Sequence, residues 1–152
     1  MFYENDMQNV QYPLKCAVMR GNLPFMTHCH QEVEIILLRA GTVRVYYEEE
    51  EYCLHKGDIW IVPPFASHRI GIGSEDCERL AILLDMNLVG TRSKGKEEWL
   101  WLQSELKEVD MFSGHWPEET RARILEIVEN IYQEYCEKAY AWQLAVKSLI
   151  TG

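Results

Sequence analysis

The chain has 152 residues and a mass of 17.9 kDa, enough for one domain with an appended helical element. Hydrophobic residues make up 47% of it, so the composition supports a buried core and excludes a disordered tail. The formal net charge of −9 argues against direct binding to nucleic acid phosphates or to an anionic membrane surface.

The N-terminal segment is polar and acidic, without the basic and apolar regions of a secretory signal peptide. No apolar run approaches the roughly 20 residues that span a bilayer. The five cysteines show no paired spacing of the kind that holds zinc. We therefore expect a cytoplasmic protein with free thiols and no membrane partner.

The first half of the chain has the pattern of short strands separated by turn residues. The predicted strands are residues 14–20, 34–39, 42–47, 52–55, 58–62, 68–72 and 79–84. Short strands at this spacing predict a small barrel or sandwich. The acidic run 48–51 between two of them predicts a solvated hairpin tip.

The second half has a helical pattern after a predicted loop at 87–96. Residues 97–109 repeat apolar side chains at helical spacing, and Pro117 with two acids after it predicts a second helix start. Apolar positions then recur at near-heptad spacing up to Leu149, with a break predicted at 138–141. The pattern leaves open whether this face packs on the barrel or on a second copy of the chain.

Three histidines and one glutamate form a candidate metal site. His28 and His30 lie two residues apart and therefore point to the same side of a strand. Glu34 follows across a corner at 31–32, and His68 would come from another strand. This donor set suits zinc, iron, manganese, nickel or copper. The residues alone do not decide between a metal and polar groups that bind water or an organic ligand.

The same residues resemble the first motif of the cupin family, whose members are small barrels of two antiparallel sheets. That motif runs from a glycine through His-x-His and a glutamate to a second glycine. Here Gly21, His28, His30, Glu34 and Gly41 take those places, and the first spacer is one residue longer than in the family.

The second cupin motif is matched less completely. Gly57, Pro63 and His68 occupy its glycine, proline and histidine positions. Phe65 replaces the motif's second glycine, and Ile72 replaces its asparagine. The replacement at Phe65 lies in the turn that aims His68.

A finer resemblance is to the N-terminal sensor domain of AraC-type transcription regulators. The shared features are His-x-His, the Glu34-Ile35 pair, the Gly57-Asp58 turn with Pro63, and His68. The resemblance implies a mainly β fold, a cupin (double-stranded β-helix, jelly-roll-like) barrel followed by C-terminal α-helices. It divides the chain into a barrel at 1–86 and a helical dimerisation or connector segment at 87–152, and the DNA-binding domain of such a regulator is absent from this sequence.

The resemblance also implies a function. A small-molecule effector, a sugar or other small organic compound, would bind inside the barrel, and a homodimer would form through the C-terminal helices. DNA would be bound only through the domain absent here. The expected ligand-binding residues are His28, His30, Glu34, His68 and Trp60, and the same three histidines with Glu34 are the expected ligands of a divalent transition metal.

Further side chains are candidates for the pocket or for other roles. Met26, Ile36, Tyr46 and Ile70 are candidate pocket residues. Trp60 either stacks on an effector or packs in the core. Arg44 either pairs with an anionic effector or faces solvent, and we expect Cys29 to point away from the histidines as packing.

The resemblance leaves a second function open. Metal-bearing cupins include dioxygenases and isomerases, so a free-standing metal-binding cupin, with or without enzymatic activity, is the alternative. No further acid–base pair stands beside the histidine motif in the sequence, and we therefore expect a binding domain without catalytic residues.

Overall fold

The computed structural model describes residues 2–3, 14–85 and 110–151 of the chain. Its strands are β1 (Phe2–Tyr3), β2 (Leu14–Arg20), β3 (Phe25–Cys29), β4 (Val33–Ala40), β5 (Thr42–Tyr47), β6 (Glu50–His55), β7 (Ile59–Val62), β8 (His68–Gly73) and β9 (Glu78–Leu84). A 3-10 turn at Ser113–His115 precedes two helices, α1 (Glu118–Glu137) and α2 (Trp142–Thr151).

The strands form two sheets. The five-stranded sheet has the order β1-β3-β8-β5-β6, and the four-stranded sheet has the order β2-β9-β4-β7. The described strand pairs are antiparallel, apart from the parallel pair of β1 with β3. The predicted mainly β barrel followed by C-terminal helices is confirmed.

The two helices lie on the outer face of the four-stranded sheet. Val33 and Leu37 of β4 belong to the same buried apolar cluster as Val128 and Ile131 of α1 and Val146 of α2. Side chains alternate between the two faces of a strand, so these β4 residues point away from the barrel interior. The helical positions 128 and 131 therefore pack against the barrel.

The inner face of the same sheet lines the barrel interior. Ile36 and Leu38 of β4 and Trp60 of β7 form a second apolar cluster with Val45 and Ile70 of the five-stranded sheet. Burial of these apolar side chains on both faces of β4 explains the nearly continuous apolar run 35–38 in the sequence.

Polar contacts also hold the helical segment on the barrel. Arg121 of α1 pairs with the buried Asp58 in the turn before β7, with 3.0 Å between Nη2 and Oδ1. The backbone N–H of Ile59 donates to the Ser113 hydroxyl at 2.8 Å. The residues just before α1 are thus fixed to the edge strand β7.

The predicted strands agree with the observed ones to within one or two residues at each end. Two strands are missing from the prediction, the two-residue β1 and the longer β3. The side chains of β3 at 26 and 27 are both exposed, because the pairing register with β8 shifts between Phe25 and His28. This bulge breaks the alternation that identifies a strand.

The helix ends and the acidic tip also follow the prediction closely. Pro117 is the residue just before α1 and not its first helical residue. The predicted break at 138–141 is confirmed, with left-handed Lys138 (φ 47°) and Ala141 (φ 61°). The hairpin turn is at 48–49, and β6 begins at Glu50. The predicted loop at 87–96 and helix at 97–109 lie outside the described residues. No described helix is long and apolar enough to cross a membrane.

Candidate metal centre

The four candidate ligands converge in the barrel. His28, His30, Glu34 and His68 are all buried, and one donor atom from each lies within 4.8 Å of the others. His28 of β3 is directly opposite His68 of β8 in the five-stranded sheet, whereas Glu34 comes from β4 of the four-stranded sheet. The cluster therefore joins the two sheets.

Backbone carbonyls fix the orientation of the three imidazoles. The Nδ1–H of His28 donates to the carbonyl of Met26 at 2.9 Å, and that of His30 donates to the carbonyl of Glu32 at 3.0 Å. His68 makes the same contact with Ala66 at 2.9 Å. Because a carbonyl only accepts, each Nδ1 carries a proton, and each Nε2 is left for the interior of the cluster.

Glu34 is the acidic residue of the cluster and contacts two of its histidines. Its Oε2 accepts hydrogen bonds from the Nε2 of His30 at 3.1 Å and of His68 at 2.8 Å. Burial opposes the charge of Glu34, but these two hydrogen bonds outweigh it and hold the carboxyl pKa well below its usual range. Burial also lowers the pKa of His30, and the contacts with Glu34 reverse that effect and raise it.

The pKa of His28 is shifted in the opposite direction from that of His30. Burial, followed by the nearby His68, lowers its pKa, and its contact with the Met26 carbonyl only partly compensates. His28 therefore favours the neutral form that binds metals, whereas His30 in metal-free protein favours the protonated form. Metal binding would compete with the hydrogen bonds that His30 and His68 make to Glu34.

The donor set fits a divalent transition metal. Such an ion binds imidazole nitrogen and carboxylate oxygen at about 2.0–2.2 Å, so two opposite ligands stand about 4.2 Å apart. The observed spread of up to 4.8 Å closes to that value with shifts of a few tenths of an ångström per side chain. The carbonyls behind the three imidazoles supply the outer hydrogen bonds that histidine ligands of metals normally have.

A cavity of about 190 Å³ opens beside the cluster, and His28 and Glu34 form part of its wall. Ala17 of β2 and Ala81 of β9 are paired in register, and their small side chains leave this space open. The remaining lining residues are Lys15, Met19, Phe25, Ile70, Arg79 and Leu83. A concave, mostly apolar space with a few polar groups is typical of a small-molecule site.

Residues 22–95 match the family described as the AraC-like ligand binding domain. The barrel is similar to this family over these residues. The match includes all four residues of the buried histidine and glutamate cluster. The AraC-like barrel thus combines the family's ligand-binding fold with a complete set of metal donors.

Three solved structures are similar to about half of this chain. A Cupin 2 conserved barrel domain protein from Salinispora arenicola has 22% identity and a TM-score of 0.43, over 53% of this chain and 70% of that one. A protein of unknown function from Streptococcus pyogenes has 14% identity and a TM-score of 0.45, over 50% and 68%. A predicted oxalate decarboxylase from Thermotoga maritima has 22% identity and a TM-score of 0.41, over 47% and 64%. No curated protein sequence matches the chain.

Of the other candidate pocket residues, the structure places two inside the barrel and two outside it. Ile70 lines the cavity, and Ile36 packs in the barrel interior. Met26 is 69% exposed, because the bulge in β3 turns it outwards, so its assignment to the pocket is wrong. Tyr46 is also wrongly assigned: its neighbour Val45 faces the interior, and the Tyr46 ring lies under the Arg69 guanidinium at 3.8 Å.

The structure also shows the surroundings of Trp60, Arg44 and Cys29. Trp60 is buried, and its ring centroid lies 6.0 Å from that of His68, outside the lining of the cavity. It packs beside a candidate metal ligand, and a contact between Trp60 and an effector stays a prediction. Arg44 is exposed and pairs with Glu51, as expected for a solvent-facing residue. Cys29 is buried and lies outside the donor cluster.

The turn before His68 has a left-handed residue at the position where the cupin motif has a glycine. Phe65 adopts a left-handed φ of 62°, and its N–H donates to the carbonyl of His30 at 2.7 Å. This contact ties the second motif to the first. The left-handed conformation is the reason for a glycine at this position in the family, and Phe65 adopts it at the cost of strain.

Three charged residues near the site are absent from the sequence-based prediction: Lys15 and Arg79 in the cavity wall, and Glu32 beside His30. Arg79 lines the cavity, and the buried Glu32 carboxylate lies 3.7 Å from Nδ1 of His30. The alternation along β9 places Arg79 on the same face as Ala81 and Leu83. Which face points inwards follows only once the pairing of β9 with β4 is known. Glu32 lies in a corner between strands, where alternation gives no information about burial.

Proposed function

We propose that this chain is the effector-sensing and dimerisation part of an AraC-type transcription regulator, and that its barrel binds a small organic molecule. The single observation that carries the proposal is the match of residues 22–95 to the AraC-like ligand binding domain, over the segment that holds most of the cavity wall. In such a regulator DNA is bound through a separate domain, and the protein acts in the cytoplasm.

The chemistry of the cavity supports small-molecule binding. His28 and Glu34 belong both to the donor cluster and to the cavity wall. A divalent metal, when bound, supplies a Lewis-acid contact for an oxygen atom of the ligand. The protein's own contribution is to orient the three imidazoles through the backbone carbonyls and to exclude water with the apolar lining.

The sensing role is tested by a thermal-shift screen with sugars and small organic compounds. Compounds that bind in the cavity raise the unfolding midpoint of the protein. The Ala81→Leu variant fills the space between the two alanines and is expected to lose that effect. Stabilisation that persists unchanged in this variant would place the binding site elsewhere and contradict the proposal.

The surface of the helical segment supports dimerisation. A groove of about 440 Å³ between α1 and α2 is lined by Ile124, Ile127, Leu149 and Ile150, together with polar residues. Leu144 on α2 is 71% exposed. Exposed apolar surface of this kind is typical of protein–protein contacts.

The dimer is tested by sedimentation velocity of the Leu144→Glu variant. We expect the unmodified chain to sediment as a dimer and the variant as a monomer, because the new charge would have to be buried in the interface. The matched control is Ile72→Glu on the barrel, since Ile72 is also 71% exposed. Monomeric unmodified protein, or equal dissociation of both variants, contradicts dimerisation through the helices.

A metal-dependent cupin enzyme, such as a dioxygenase or isomerase, is the second candidate. The complete set of three imidazoles and one carboxylate favours it. Elemental analysis of the purified protein measures the metal content, and an oxygen electrode measures uptake after addition of Fe(II) and small organic acids. Oxygen uptake that is lost in His68→Ala supports the enzyme, whereas saturable binding without turnover supports the sensor.

A further inference from the structure

Arg79 is a buried cation inside the barrel without an acidic partner among the described residues. It is 5% exposed, lies at the start of β9 and lines the cavity. The ion pairs of residues 14–85 and 110–151 include none with Arg79. Its Nε is buried and has no hydrogen-bond partner.

The groups that do contact Arg79 are weak acceptors. Its Nη2 lies 3.7 Å from the Sδ of Met19, and the thiol of Cys77 is a further contact of the guanidinium. A guanidinium stays charged at every ordinary pH and carries five donors in a planar fork. A buried guanidinium with an unpartnered Nε and sulfur acceptors among its described contacts favours an anionic acceptor at this site.

The strand registers place open space between Arg79 and the metal donors. Across β2, β9 and β4, one row of the inner face contains Met19, Arg79 and Leu38. The row two residues along β9 contains Ala17, Ala81 and Ile36, and the row after it contains Lys15, Leu83 and Glu34. The two alanines therefore form a floor of small side chains between the guanidinium and the Glu34 end of the cavity.

The size of this space sets the size of a ligand. Its volume is about 190 Å³. An apolar protein cavity of about 150 Å³ is sufficient for a benzene ring. The space next to Arg79 therefore has room for a molecule with one small ring or a short carbon chain.

The charges that face the cavity favour an anion. Arg79 and Lys15 are its cationic lining residues, and Glu34 is its acidic one. The Glu34 carboxylate is hydrogen-bonded to His30 and His68, so its charge is already paired within the donor cluster. The interior is therefore more positive than the chain as a whole, whose formal charge is −9.

We propose that the cavity binds a small organic acid, with its carboxylate held by the Arg79 guanidinium and its apolar body over Ala17 and Ala81. This inference rests on the proposed ligand-binding function and adds the chemical class of the ligand. Arginine suits the role because its fork matches the two oxygens of a carboxylate.

The test compares benzoate with benzamide by isothermal titration calorimetry on the purified chain. The two probes have nearly the same shape, and only benzoate is charged. We expect benzoate to bind at least about 10-fold more tightly, as is typical for a charge-assisted pair in a buried site. Repeating the titration after chelator treatment removes any contribution of a metal, and the preference for benzoate should remain.

The variant Arg79→Met removes the charge and keeps most of the side-chain volume. A methionine suits a buried position next to Met19, so we expect this variant to fold, which circular dichroism verifies. It should bind benzoate no better than benzamide. The control Arg20→Met removes an exposed arginine of β2 that pairs with Glu78, and it should bind benzoate like the unmodified chain.

Each contrary result has its own meaning. Equal affinity for both probes, or unchanged benzoate binding in Arg79→Met, overturns the anion site and leaves small-molecule sensing by the barrel intact. A preference that disappears with the chelator assigns the carboxylate to a metal and also overturns the Arg79 site. Absence of binding of either probe overturns the inference, and the thermal-shift screen then decides the proposed function separately.

Discussion

Replacing Phe65 by glycine and by alanine measures the strain in the turn that aims His68. Both variants lose the buried half of the aromatic ring, since Phe65 is 47% exposed. That half is about 100 Å² and is worth about 2.5 kcal/mol at 25 cal/mol per Å². This loss is common to both variants and cancels when they are compared with each other.

The difference between the two variants comes from the backbone. At the observed φ of 62°, a residue with a Cβ atom is strained by about 1–2 kcal/mol, and glycine is not. Glycine loses about 0.5–1 kcal/mol through the greater freedom of its unfolded chain. We therefore expect Phe65→Gly to be more stable than Phe65→Ala by about 0.5–1 kcal/mol.

Urea denaturation followed by tryptophan fluorescence measures this difference. At the exposed β8 position Ile72, which has no positive φ, the order should be reversed, with the alanine variant more stable than the glycine variant. If Phe65→Ala equals or exceeds Phe65→Gly in stability, the turn does not need a left-handed residue, and our explanation of the cupin glycine at this position is refuted.

Three more predictions concern the metal donors, a tight turn and a buried thiol. Glu34→Gln should bind Zn²⁺ at least about 100-fold more weakly than the unmodified chain in a competition titration with a chromophoric chelator, because it loses a charged ligand; unchanged affinity would show that Glu34 is not a ligand. Gly41→Ala should lower the free energy of unfolding in urea by about 1–3 kcal/mol more than Gly21→Ala does. Both glycines have positive φ, but a Cβ at Gly41 would lie 2.9 Å from the Cα of Cys77, whereas a Cβ at Gly21 meets nothing within 4 Å. Equal losses in the two variants would contradict the steric argument. Burial, and to a lesser extent the neighbouring Cys136, raises the pKa of Cys16 to about 12, so iodoacetamide at mildly alkaline pH should label exposed Cys53 well before Cys16, as read by mass spectrometry; equal labelling rates would refute the raised pKa.

Much of the barrel could be predicted from the sequence because its strands are short apolar runs bounded by turn residues. The donor set was also predictable, since the spacing of His28, His30 and Glu34 fixes side-chain direction along one strand and its neighbour. Strand β3 was not, because the bulge between Phe25 and His28 interrupts its alternation. The same bulge explains the wrong assignment of Met26.

The cavity itself depends on information that the sequence pattern does not contain. Ala17 and Ala81 become neighbours only through the pairing of β2 with β9, and Arg79 faces the same interior only because β9 also pairs with β4. These are contacts between segments more than 40 residues apart along the chain. Local periodicity identifies each strand but gives no register between distant strands.

Strand β4 is a mechanical link between the donor cluster and the helices. Glu34 points into the cluster, and its neighbour Val33 points into the apolar layer under α1 and α2. Because a closely packed interior transmits small shifts, we expect a displacement of Glu34 to reach the apolar layer under the helices through β4. We therefore expect ligand binding in the barrel and the position of α1 and α2 to be coupled through the adjacent residues Glu34 and Val33.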